Sequence, residues 1–407
     1  MFLDKLRSFF RKNDGKEKLK IEYASPRNEY YGMVSERYST LQMVLLVVLT
    51  LFILVALMIN SSWISYENFY FFFNDFGNYL TTSDSNIENI IYDTGDFYDF
   101  EVFCGKLAVA GDSGISLYTR SGRTAFSYDE SVASPQLESS ERYMVLYDSG
   151  GKEYKIYNLF TEVYSEKTEY PVYGAAVADN GSYAIITGDG SHITCLNVYN
   201  RKFELIQRIG KASYIVDTSI SPSGDRVAVL SYTQSGGKFI TDLYLTKTSK
   251  TTPYADIKLD GCFPFYCSFT EKGDINVVCN DRIVSYNTNG KQISEYIYPD
   301  GYKISGVEAN RYGCAAFLSG DRKNIVIMFD RNGEMVYNDT LSDSIEDISL
   351  YGDYVYLLEP HDIVRINSRT QDKKSLPRNT TGDVKMLVED EHRVLLCMKS
   401  RTEYIEF

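Results

Sequence analysis

Residues 221–231 read SPSGDRVAVLS, a tight polar turn from Ser221 to Asp225 that runs straight into the apolar stretch Arg226 to Ser231. Gly224 offers the positive φ that tight turns use, and Val227 and Val229 suit a pleated strand. The phrase returns along most of the chain. Apolar runs of the same kind stand at 106–110 (KLAVA), 143–147 (YMVLY), 183–187 (YAIIT), 274–279 (DINVVC), 313–318 (GCAAFL), 354–358 (YVYLL) and 393–398 (RVLLCM). Turns precede several of them, at 179–181 (DNG), 271–274 (EKGD) and 351–353 (YGD). Marked by Ala108, Met144, Ala184, Val227, Ile275, Ala315, Val355 and Val394, the repeat steps by 36 to 48 residues, most often by close to 40.

A unit of strands and turns at that period predicts a β-propeller, because each unit leaves an apolar face that only the next unit can cover. An outer hairpin argues for four strands per unit: Tyr118 precedes Gly122, Tyr286 precedes Gly290 and Phe329 precedes Gly333, each by four residues. The last unit offers strands near 384–388, 394–398 and 402–407, and IENIIY at 87–92 can supply a fourth, which closes the ring and hides an edge. The expected fold is therefore all-β, eight blades with a three-plus-one closure. Seven blades are the alternative, since neither residues 80–92 nor the long step from Val227 to Ile275 assigns itself. Composition leans the same way, with 35 Tyr and 22 Phe against one Trp.

Ahead of the repeats, residues 41–59 read LQMVLLVVLTLFILVALMI without a charge. As a helix they would span roughly 28 Å, the thickness of a bilayer core. A soluble helix would show a polar face and a cleaved leader a shorter apolar run; neither fits. One transmembrane helix is expected over 41–60, anchored along Leu41, Leu46, Phe52 and Ile59 with Trp63 in an outer aromatic belt. Residues 1–40 carry nine basic and six acidic side chains, whereas 61–105 hold eight acids and no Lys or Arg. Positive flanks stay inside, so 1–40 is expected to be a cytoplasmic tail and 87–407 an extracytoplasmic propeller of a single-pass cell-membrane protein. Phe2, Leu3, Leu6, Phe9 and Phe10 recur at helical spacing, as in a helix lying on an anionic leaflet or simply a solvated tail. Residues 61–86 form an aromatic-rich juxtamembrane segment, nine of the seventeen residues 63–79 being aromatic, with a helical stripe that packs on the domain or on lipid.

The stretch SPSGDRVA at 221–228 resembles the SPDG-x-x-[LV]-A turn of WD40-like and TolB-like propellers, and YNTNGK at 286–291 resembles the matching hairpin of quinoprotein-like propellers. The resemblance covers about residues 87–407 and implies fold, not activity. Quinoprotein relatives repeat a docking Trp in each blade, and Trp63 is the sole Trp here, so no cofactor is expected. Taken whole, the chain is similar to a membrane-anchored propeller family of unknown function from Clostridia-like Gram-positive bacteria, which implies an envelope location and names no substrate.

Chemistry-bearing motifs are sparse. A net charge of -13 excludes nucleic acid as a natural partner. The seven cysteines mostly fall in or beside marker strands, where a thiol acts as a small apolar group; Cys262 and Cys267 are the one pair close enough in sequence to bridge. His192, His361 and His392 lie in different repeats with no nucleophile motif. Asp93, Asp96, Asp99 and Glu101 cluster before the first blade as weak candidates for a metal, although their spacing lacks the calcium-loop pattern. The expected role is a non-catalytic binding or scaffold module for a protein, peptide or envelope polymer, tethered to the bilayer. A hydrolase or lyase with carboxylates in the central channel is the alternative, and an envelope sensor a further one.

Overall fold

The computed structural model describes residues 38, 41–52, 55, 89–92 and 98–407, apart from 251, 322, 342–343, 379–381 and 383. The chain divides into two compact units, Met1–Ser85 and Asn86–Phe407. In the first, residues 41–52 are helical, and Leu41, Leu46 and Phe52 stand exposed on it. Ile59 and Trp63 lie outside the described residues, as do the aromatic segment and all of the tail but Tyr38. Among the described residues no helix is long and apolar enough to cross a membrane.

The second unit is a wheel of eight four-stranded antiparallel sheets. Blades are numbered here in chain order and their strands a to d from the axis outward. The a strands are Tyr98–Phe103, Pro135–Ser139, Val172–Val177, Tyr214–Ile220, Pro264–Phe269, Lys303–Asn310, Asp347–Tyr351 and Lys385–Asp390. Each touches the a strands of both neighbouring blades, so together they form a closed ring around the axis. All eight sequence markers fall on b strands, which explains their regularity: the b strand is covered on both faces and reads as an unbroken apolar run.

Blade 8 takes strands a to c from Lys385–Asp390, Arg393–Cys397 and Arg401–Glu406, and its d strand from Ile90–Ile91, with Ile90 opposite Thr402. The three-plus-one closure and the count of eight are thereby established. The long step from Val227 to Ile275 adds no blade. It lengthens blade 4, whose b and c strands, Arg226–Ser235 and Lys238–Lys247, have ten residues each and meet at Gly236 and Gly237.

The core lies between blades. Ala228, Leu230 and Leu245 of blade 4 pack on Phe269, Val277 and Tyr286 of blade 5, and similar clusters join the other neighbours. Outer hairpins repeat one device. The Asn287 side chain accepts the backbone N–H groups of Asn289 and Lys291, at 2.9 and 3.0 Å, and Asp330 does the same for Asn332 and Glu334. Such Asx turns need little beyond an Asn or Asp and a glycine at positive φ, here Gly290 at +77°. For this reason the sequence could show them.

Candidate functional site

Every a strand begins on the face that carries the connections between blades, the linker face, and runs towards the opposite face. Three of them carry an aspartate that reaches across to the next blade. Asp99 Oδ2 accepts the Leu137 N–H, Asp217 Oδ2 the Cys267 N–H and Asp347 Oδ2 the Met386 N–H, each at 2.8 Å. A hydrogen bond to a charged acceptor contributes about 1.5–3 kcal/mol, so these staples fix blade 1 to 2, 4 to 5 and 7 to 8 close to the axis.

Strands a of blades 1, 2 and 6 carry Glu101, Glu138 and Glu308 in the innermost layer of the wheel. Lys385, on strand a of blade 8, places Nζ 2.9 Å from Asp99 Oδ1 and 2.9 Å from the Phe100 carbonyl. Glu101 accepts the Ser139 hydroxyl at 3.1 Å, and Glu308 accepts the Asn310 amide at 3.2 Å. Tyr266 of blade 5 donates its hydroxyl to the Ala309 carbonyl at 3.1 Å. All six carboxyl side chains are half-buried.

These groups shift one another's protonation. Burial holds Glu101 at about 7, with Glu308 and Asp99 adding repulsion and Lys385 opposing it. Glu138 is pushed well above the carboxylate range by burial first, then by Asp217, Glu101 and Asp99. Asp217 sits at about 6 through burial, tempered by the backbone hydrogen bonds of Cys267 and Thr218. Burial also raises Glu308 and Asp347. It works against the charged form of Lys385, yet Asp99 and Glu101 carry that ammonium above the ordinary lysine range. Side chains from blades 1, 2, 4, 6, 7 and 8 act on one another in this way only because they meet around one axis. The groups named are thus six carboxyls and a single ammonium gathered near the axis.

Of the sequence candidates, Asp99 and Glu101 take part in this ring, while Asp93 and Asp96 fall outside the described residues. Among the described residues no group of three or more His, Cys, Asp or Glu side chains could hold a metal ion. Cys262 and Cys267 are both buried free thiols. Cys262 lies in the link between blades 4 and 5, with Sγ 3.6 Å from Thr241 Oγ1, while the Cys267 backbone is committed to Asp217; the sulfur beside Cys262 is that of Cys279. Sequence reasoning missed Glu138, Asp217, Glu308, Asp347 and Lys385. A signal did exist: each stands six to ten residues before the marker of its own repeat. Shallow cavities of about 350 and 150 Å³ sit at Ile206 and Thr248 to Lys250 and at the turns carrying Ser221 and Glu271.

These features define the class: a closed eight-bladed β-propeller with acidic side chains near its axis, in which the WD40-like character of the 221–228 turn is matched by the fold. The chain belongs to the family of unknown function DUF5711, whose model matches residues 75–407. No curated protein matches it by sequence. Among solved structures it is similar to Sqt1 of Saccharomyces cerevisiae, with 12% identity, a TM-score of 0.55 and coverage of 80% of this chain and 100% of that one. The computationally designed Ika8 protein is similar at 11% identity and a TM-score of 0.57, with coverage of 80% and 100%. A eukaryotic initiation factor is similar at 13% identity and a TM-score of 0.52, with coverage of 79% and 85%. At such identities the likeness shows the fold alone.

Proposed function

We propose that the protein is a membrane-anchored, extracytoplasmic propeller that binds without catalysing, a docking or scaffold module for a protein, peptide or envelope polymer. The observation that carries this is the closed ring of blades: it gathers charged and aromatic side chains from six or more repeats onto one rigid framework, which is what a recognition surface requires. Support for the anchor comes from residues 41–52, a helical stretch whose Leu, Val, Met and Phe side chains are all exposed and which water would not tolerate bare. Basic residues in 1–40 and acidic ones after 61 favour a cytoplasmic N-terminus. Photo-crosslinking in living cells, with membrane fractionation of the products, tests the proposal. A reproducible partner attached to a membrane-bound chain is expected, and a chain recovered bare from the soluble fraction would refute it.

A hydrolase or lyase is the alternative, favoured by one observation: Glu101, near 7, can both give and take a proton at neutral pH. It requires a substrate-sized cavity beside that carboxyl. Turnover of an oligosaccharide or peptide by the parent, abolished in Glu101→Gln, would establish it.

A further inference from the structure

Two of the buried cysteines meet. Cys262 lies in the link that joins blade 4 to blade 5, and Cys279 ends strand b of blade 5, Ile275–Cys279. The link is fastened to that strand. The Asn280 N–H donates to the Phe263 carbonyl at 2.9 Å, Asn280 Oδ1 accepts the Phe263 N–H at 2.7 Å, and Pro264 stands opposite Cys279. In such a pairing opposite residues share a face, and so do residues two apart on one strand. Cys262 and Cys279 therefore both turn into the seam, where they pack in one cluster with Leu243 and Leu245 of blade 4 and Val277 of blade 5. There the two thiols hydrogen-bond to each other.

The other thiols are held elsewhere. Cys267 shares the cluster, but its thiol bonds to Asp217. Cys195 accepts from Arg208 Nε at 3.2 Å in blade 3, Cys104 donates to the Glu141 carbonyl at 2.7 Å, and Cys314 and Cys397 lie in blades 6 and 8. Cys262 also has polar company, with Sγ 3.6 Å from Thr241 Oγ1 and 3.6 Å from the Leu259 carbonyl oxygen. The hydrogen bond from Cys279 holds the Cys262 thiol below the ordinary range against its burial, with Thr241 helping, and the same contact pushes Cys279 above it. A sulfur with thiolate character thus faces a second thiol, the arrangement from which disulfides form. Neither is accessible to solvent once blade 5 is seated, so an oxidant has to act while the chain folds or the seam stands open.

We propose that Cys262 and Cys279 are a disulfide-forming pair, closed by a disulfide oxidant of the glutathione type before blade 5 seats on blade 4. The Cys262 sulfur displaces one thiolate from the oxidant, and the Cys279 sulfur then displaces the other. One S–S bond forms as one breaks; two electrons pass to the oxidant, and the two protons of the cysteines end on the released glutathione thiols. Sulfurs already in hydrogen-bond contact need only side-chain rotation and a small backbone shift to bond. The bridge ties the link to strand b across the seam that Asp217 also fastens, and it stabilises the fold by restricting the unfolded chain between 262 and 279. It goes beyond the binding-module reading and does not rest on it.

The full chain in mild detergent is unfolded in urea with reductant, refolded with reduced and oxidised glutathione, alkylated, and digested with trypsin without reduction. Cleavage after Lys258, Lys272 and Arg282 leaves Cys262 and Cys267 on 259–272 and Cys279 on 273–282. The two peptides should be joined, should stay joined in Cys267→Ala, and should separate in Cys262→Ala. The same peptides are read from folded chain held in oxidised glutathione with urea below its unfolding midpoint, so the outcome does not hang on refolding. An unlinked 259–272 lighter by two hydrogens, which is a bridge from Cys262 to Cys267, overturns the proposal, as does alkylation of both Cys262 and Cys279 after oxidation by both routes. Oxidation should raise the melting temperature by about 3–8 °C, and an equal rise in Cys279→Ala also overturns it. Trapping the chain in cells with acid and alkylating agent tests location separately. The bridge found there supports both readings; thiols found there, with the bridge formed in buffer, leave the pair standing and count against an extracytoplasmic propeller.

Discussion

Replacing Tyr92 by alanine should unlatch the ring. Tyr92 follows the two-residue strand that completes blade 8, and its side chain is only 4% exposed. Its ring lies 5.8 Å from Phe100, 6.1 Å from Tyr118 and 6.3 Å from Tyr98, so it fills the seam between the last blade and the first. Its hydroxyl faces the carbonyls of Met398 and Arg401, the latter at 2.9 Å, and Thr402 Oγ1 at 3.2 Å. Tyr92→Phe keeps the ring but strips those acceptors of their donor, a loss of about 1–2 kcal/mol. Tyr92→Ala removes the whole side chain from a packed seam and should cost about 3–5 kcal/mol. Urea unfolding of the full chain in detergent, followed by far-UV circular dichroism, measures both. Tryptophan fluorescence will not serve, because the sole Trp, Trp63, lies outside Asn86–Phe407. Met335→Ala, at an exposed position, is the control and should stay within about 0.5 kcal/mol of the parent. Should Tyr92→Ala match that control, the N-terminal strand does not close the wheel.

Acidity should stabilise the propeller. Glu101 at about 7 and Asp217 at about 6 hold protons that the unfolded chain, with ordinary carboxyls, gives up near pH 4. The folded state is therefore favoured fully below pH of about 4 and loses that advantage as pH rises through 6 and 7, so the melting temperature should fall between pH 5 and pH 8. Glu101→Gln should shrink the fall, and an unchanged slope in that variant would contradict the assignment of this carboxyl. Gly313→Ala should cost about 2–4 kcal/mol, since φ is +143° and a Cβ would stand 2.0 Å from the Phe329 carbonyl oxygen, whereas Gly352→Ala, with φ +61° and open space around it, should cost about 1 kcal/mol by the same urea assay. Six of the seven cysteines are buried and Cys104 is half-buried, so native-state alkylation mapped by mass spectrometry should label Cys104 well before the others. Labelling of Cys262 or Cys267 at the same rate would mean that the seam between blades 4 and 5 opens.

The residues that announce the fold do so locally. The 221–231 turn and strand, the b-strand runs and the Asx hairpins such as 286–291 each need only neighbours in sequence, because a turn is set by Gly and Asx chemistry and a doubly covered strand by its apolar run. Eight repeats of that signal fixed the architecture, and the short strand at 87–92 pointed to the closure. The ten-residue strands of blade 4 were opaque, since a lengthened hairpin and an extra blade add chain in the same place.

The candidate site was barely legible. Asp99 and Glu101 stood out because they are close to Asp93 and Asp96 in sequence, but their partners in space are Glu138, Asp217, Glu308, Asp347 and Lys385, scattered over five other repeats. Likewise Cys262 lies beside Cys279 and not Cys267, because the antiparallel pairing that sets Pro264 against Cys279 carries the link between blades past that strand. Alternation and turn chemistry tell a chain how to build one blade and how often. Which side chains then look into a common axis depends on the strand that lies innermost, on its stagger, and on the closing of the ring. Those are long-range conditions, met only when eight separately encoded sheets pack together.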